Sequence, residues 1–132
     1  MDTVVIDREY GVRMARGLAN LMNLPKVIDR TDEIRWRGGV ALIRCCGPGV
    51  KSFGVTYQMV KRLDGLLAAL VDEAGVVQVW ELPPATFRDQ AFDNDSRRAI
   101  GGKVKLIPRT LVESAGRLIA SFPRAEVDRA AD

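Results

Sequence analysis

The chain has 132 residues, 47% apolar and 28% charged, a balance that excludes wholesale disorder and allows one domain to bury a core. It contains no histidine, which removes histidine general bases, Ser-His-Asp triads and the usual zinc sites. Lys plus Arg number 20 against 17 Asp plus Glu, so a net charge of only +3 leaves any affinity for polyanions to the arrangement of the charges.

Residues 8–24, REYGVRMARGLANLMNL, predict a helix. Val12, Ala15, Ala19 and Met22 recur at helical spacing, and Leu18 and Leu21 widen the stripe. Asp7 is the candidate cap and Pro25 the stop. After a polar connector, residues 33–37 and 39–46 predict a hairpin turned at Gly38-Gly39, a dipeptide suited to the positive φ angles of tight turns. CGPGVK reads as a loop. Residues 51–59 alternate, with Phe53, Val55, Tyr57 and Met59 on one side, as a half-buried strand does.

Residues 59–73 admit two readings. Met59, Leu63, Leu66, Leu67 and Leu70 fit one face of an amphipathic helix, whereas GLLAALV fits a buried central strand turned by DEAG into VVQVWEL. Gly65 and the sharp turn favour the strand. Pro83-Pro84 closes VVQVWEL, residues 85–102 are polar and turn-rich, and KVKLI (103–107) predicts a short strand. Residues 109–122 predict a closing helix with Leu111, Ala115, Leu118 and Ile119 on one face and Thr110 as a possible cap. From about residue 122 a flexible tail is expected. The order predicts one domain over 1–132, with its core at 8–121. Its class is α/β (α+β): a mixed, mainly antiparallel sheet flanked by an N-terminal and a C-terminal helix.

No apolar run approaches the roughly 20 residues that span a bilayer, so no membrane partner is expected. MDTVVIDREY lacks the basic-then-apolar order of a signal peptide, which points to a cytoplasmic location. Cys45 and Cys46 are adjacent, so on a strand they face opposite ways and are expected to be two reduced thiols.

The charges are segregated. From Ile34 to Leu63 there is no acid, while Arg35, Arg37, Arg44, Lys51, Lys61 and Arg62 are basic. Ser96 to Val112 is also acid-free and holds Arg97, Arg98, Lys103, Lys105 and Arg109. Such blocks predict a face for phosphates, the alternative being a surface whose signs interleave on folding.

The stretch TDEIRWRGGVALIRCC, with FGVTYQ and LDGLLAALVDEAGVVQVWELP after it, resembles the core of the restriction-endonuclease-like PD-(D/E)XK nucleases from the first helix to about Pro84. The resemblance implies a magnesium site built from an acid at the hairpin entrance and an acid-x-lysine on the next strand. Paired carboxylates concentrate a divalent cation, which acidifies a bound water. Asp32 or Glu33 matches the first acid, and the acid-x-lysine falls on Leu42, Ile43 and Arg44. Leu42 cannot ligate a metal, and Arg44 keeps the charge but cannot shuttle a proton. Arg44 could equally form a salt bridge to Asp32 or Glu33.

The leading expectation is a nuclease-like core that binds DNA or other nucleic acid without cutting and needs no cofactor. Arg35, Arg37, Arg44, Lys51, Arg97, Arg98, Lys103 and Lys105 would contact phosphates. By resemblance this suits an accessory of phage or DNA-defence origin. One alternative is an active magnesium-dependent endonuclease or resolvase, with metal at Asp32 and Glu33, Asp32 and Arg44 catalytic, and the missing carboxylate supplied by Glu9 or Glu81. Another is a non-enzymatic homodimer pairing through the FGVTYQM edge. Trp36 and Trp80 are expected in the core or at a sheet edge rather than as stacking platforms.

Overall fold

A computed structural model describes residues 8–27, 32–89, 92–94 and 104–132. Helix α1 (Arg8–Leu21) leads into a hairpin of β1 (Glu33–Trp36) and β2 (Gly39–Cys46). Then come β3 (Ser52–Thr56), α2 (Tyr57–Arg62), β4 (Gly65–Val71), β5 (Val76–Leu82), α3 (Pro84–Asp89), β6 (Phe92–Asn94), β7 (Val104–Pro108), α4 (Arg109–Ala115), β8 (Arg117–Pro123) and α5 (Arg124–Ala130). Five strands form one sheet in the order β1-β2-β4-β5-β8, and β3-β7-β6 form a second. The β2–β4 pair is parallel and every other pair in the large sheet antiparallel, so the class is the mixed, mainly antiparallel α+β expected.

The central strand GLLAALV is buried at all seven positions. Leu67, Ala69 and Val71 join Met14, Ala15 and Leu18 of α1 and Val127 of α5 on one side, the helical face. Leu66, Ala68 and Leu70 join Phe53 and Val55 of β3, Val60 of α2, Phe87 of α3, Ile107 of β7 and Val112 of α4 on the other, the mixed face. A strand with apolar side chains on both faces is stable only with a layer on each.

The departures from expectation have local causes. The hairpin pairs Trp36 with Gly39, so its turn is Arg37-Gly38 rather than Gly38-Gly39, with both residues at positive φ. The 51–59 strand ends at Thr56, whose Oγ1 accepts from the Met59 N–H and caps α2. Residues 59–73 are thus a helical turn and then the favoured strand. The closing helix stops at Gly116, and residues 117–123 instead add β8 to the edge of β5, with the register shifting beside Val79 and Trp80. The expected tail is α5, whose Val127 is fully buried. At α4 the cap position is Pro108, not Thr110. Asp7 and most of the polar segment after Asn94 lie outside the described residues.

At the outer edge of β1, the Arg35 N–H donates to Pro25 O and the Val27 N–H to Glu33 O. Strand β3, which holds the start of the FGVTYQM segment, lies at one edge of the small sheet. Among the described residues, no helix is long and apolar enough to cross a membrane. Both cysteines are free thiols, Cys46 Sγ donating to Val50 O and the Cys45 thiol pushed up to about 12 by burial.

A methyl at Gly17 would overlap Val127 O, whereas one at Gly11 meets nothing. Gly17→Ala should therefore lower stability by about 2 kcal/mol despite better helix propensity, while Gly11→Ala should raise it by up to about 1 kcal/mol. Urea titrations of both variants check the contrast. Because folding raises the Cys45 pKa, its contribution is complete below the unfolded thiol value and is lost as pH rises from about 9 towards 12. Stability measured across that window should fall less steeply in Cys45→Ala.

Candidate nucleic-acid interface

The pairing Glu33↔Leu42, continued by Leu42↔Leu66, puts Glu33, Arg35, Leu42 and Arg44 on the mixed face. The Ile43 N–H donates to Asp32 O, fixing the residue that enters β1. Arg44 then reaches back over the hairpin. Its NH1 donates to Asp32 Oδ2 at 3.0 Å and its NH2 contacts Met59 Sδ at 3.5 Å, while its Nε is buried without a partner.

The neighbouring acid is held from α2. Arg62 donates twice, NH1 to Glu33 Oε1 at 2.6 Å and NH2 to Glu33 Oε2 at 2.8 Å. Glu33 is 2% exposed and is the only buried charged residue among those described. A carboxylate so far from water needs such a planar two-pronged partner. The same bonds raise the Arg62 pKa above its ordinary value, so its charge persists throughout the physiological range. Arg88 steadies α2, donating from Nε to Val60 O and from NH2 to Leu63 O. Lys105 donates to Arg88 O and sits 5.6 Å from the centre of the Tyr57 ring.

The magnesium site implied by the nuclease resemblance does not fit these donors. Leu42 is fully buried in hydrocarbon, and both carboxylates at the β1 entrance are engaged by guanidinium groups. No cluster of three or more metal-ligating side chains exists among the described residues. Glu81 does not supply the missing carboxylate. It pairs with Leu67 and so lies on the helical face, where it accepts from Trp36 and Arg117 and forms an ion pair with Arg37. The side chain of Glu9 lies outside the described residues.

The basic residues singled out from sequence are not gathered on one face. Arg35 and Arg44 share the mixed face of the hairpin, and Lys61, Arg62 and Lys105 adjoin it through α2 and β7. Arg37 turns to the helical face and Glu81. Lys51 lies past the far end of β2, eight residues and therefore about 25 Å from the turn. Arg35, Lys51 and Lys61 are exposed with no side-chain partner among the described residues. Arg97, Arg98 and Lys103 lie outside the described residues, in the 95–103 segment that joins β6 to β7.

Sequence reading offered a salt bridge from Arg44 to Asp32 or Glu33 beside a phosphate contact, and the bridge forms to Asp32; it missed Arg62 on Glu33, a pair 29 residues apart with no local signal. It also missed Arg109, whose NH2 donates to Cys46 O, Gly47 O and Val71 O and ties the ends of β2 and β4 together. Trp36 is half-buried as expected at a sheet edge, and Trp80 packs against the mixed-face core.

Arg62→Ala strips the two-pronged partner from a buried carboxylate and should cost about 2–3 kcal/mol in urea denaturation. Glu33→Leu combined with Arg62→Leu should return to within about 1 kcal/mol of the parent, because a buried ion pair is replaceable by packed hydrocarbon while half of one is not.

Compared with protein-family models and with curated proteins, the chain matches none.

Proposed function

We propose that this chain is a nucleic-acid-binding domain with an endonuclease-like core that no longer cuts. The observation that carries the reading is the neutralisation of Asp32 and Glu33 by Arg44 and Arg62 at the hairpin entrance. In the nuclease scheme those acids gather a divalent cation. Here each is matched by a guanidinium, and the excess charge on that flank is positive. Asp64, the next acid along the chain, is bonded to the Val40 N–H. Arg35 and Lys61 then stand as cations without acidic partners among the described residues, and the 95–103 segment adds Arg97, Arg98 and Lys103 to the chain that leaves β6. Backbone contacts of this kind confer affinity with little sequence preference.

Fluorescence anisotropy with a short DNA duplex and its single strand tests the proposal. Binding should be on the order of 10 µM at low salt, with log K falling against log salt at a slope of about −3 to −5. Removing Arg97, Arg98 and Lys103 should flatten the slope by about 1 per residue. Magnesium or manganese should yield no nicking. Absence of binding at low salt sinks the reading, and nicking that disappears in Asp32→Ala would replace it with an active nuclease.

A second reading rests on β8. It ends the large sheet, its outer edge has no strand partner among the described residues, and its Leu118 is 46% exposed. Edges of this kind pair with other strands, which favours an assembly role. A concentration-dependent dimer, insensitive to salt and lost in Leu118→Lys, would support it.

A further inference from the structure

On the helical face, at the hairpin end of the sheet, two arginines converge on one carboxylate. Glu81 Oε1 accepts from Arg117 NH2 at 2.8 Å and forms an ion pair with Arg37 NH2 at 3.1 Å, while Oε2 accepts from Trp36 Nε1 at 2.8 Å. The three partners come from the β1–β2 turn, the first residue of β8 and the last residue of β1. The Arg37 guanidinium also lies 5.1 Å from the centre of the Trp36 ring.

Three physical features separate this cluster from an ordinary surface ion pair. First, the charges do not balance. Two guanidiniums share one carboxylate, so the cluster itself carries one positive charge in excess. Second, the carboxylate is the fixed member. Glu81 is 17% exposed and pinned by the indole, whereas the Arg37 and Arg117 side chains are 57% and 64% exposed. Third, both donor nitrogens approach the same oxygen, so they lie no more than about 6 Å apart, a span that one tetrahedral oxyanion can bridge. Each guanidinium keeps further N–H groups beyond the one given to Glu81.

We infer that Arg37 and Arg117 form a clamp for a single phosphate group, with Glu81 and Trp36 as positioning residues. The inference rests on the proposed nucleic-acid binding only for the source of that phosphate, which is either a strand end or an internal phosphodiester. The clamp itself stands on geometry.

Inorganic phosphate is the first probe, titrated against chloride at equal ionic strength and read from the indole N–H signals of the ¹⁵N-labelled protein. Trp36 should shift saturably, with dissociation in the millimolar range. Trp80, whose Nε1 is buried without a partner, should stay put. Arg117→Ala and Arg37→Ala should each weaken binding by about tenfold, and Arg117→Lys should restore part of it, since a lysine keeps the charge but not the fork. Melting temperatures of these exposed-site variants verify that they remain folded.

The second probe is a pair of oligonucleotides, one with a 5′-phosphate and one with a 5′-hydroxyl. Preference for the first, abolished by the arginine variants, assigns a strand end. Equal affinities, both weakened by the variants, assign an internal phosphate. Either outcome sustains the clamp. Oligonucleotide binding that ignores both arginines, or no saturable Trp36 shift by about 50 mM phosphate, overturns it. Phosphate bound at Trp36 with no oligonucleotide binding at all keeps the clamp and removes the nucleic-acid reading.

Discussion

The parallel pairing of β2 with β4 is the constraint on which the rest of the molecule depends. Antiparallel strands can be joined by two residues, but a parallel neighbour requires the chain to travel back along the sheet before re-entering it. Residues 47–64 make that journey. They lay β3 and α2 over the mixed face, provide the strand on which β7 and β6 assemble, and carry Met59 and Arg62 to the hairpin. Without the crossover Glu33 would lose the Arg62 guanidinium and Arg44 the Met59 thioether.

The two faces of the sheet handle acidic groups differently. On the mixed face, Asp32 is bonded to Arg44 and Glu33 to Arg62, and burial of Glu33 makes loss of its partner costly. On the helical face, Glu81 is shared by two arginines and an indole, which leaves a surplus positive charge where solvent reaches it. The difference lies in which partner is buried. A sequestered carboxylate fixes its arginine for structural reasons, while an arginine left mostly in water keeps donors for another anion. A single basic residue count hides this distinction.

Much of the architecture was legible from local patterns. The helix of Ala15, Leu18 and Ala19, the glycine-turned hairpin and the strand KVKLI are marked by period and punctuation, whereas for GLLAALV the period fits a helix as well and only Gly65 and the sharp turn after it favoured a strand. The C-terminal third misled because RTLVESAGRLIASF satisfies a helical stripe, yet Gly116 breaks it and the open edge of β5 recruits residues 117–123 as β8. Here tertiary pairing overrode propensity, and the same docking turned an expected tail into α5, which lies against Gly17. At the candidate site, Asp32 with Arg44 could be foreseen because they lie close together across a hairpin. Arg62 with Glu33, and Arg117 with Glu81, depend on elements brought together by topology, for which spacing carries no signal.

The uniform burial of β4 has a consequence for how the sheet finds its alignment. A strand that alternates apolar and polar residues cannot slip by one position without exposing its core side, but GLLAALV reads the same on either face and carries no such information. Alignment must therefore be set at its two ends. At the start, the Asp64 carboxylate holds the Val40 N–H, and the Trp36 ring lies against Gly65. At the finish, Arg109 grips Val71 O together with Cys46 O and Gly47 O. Polar clasps outside the core do for this strand what sequence alternation does for others, so its interior is free to vary among apolar residues while its boundaries are not.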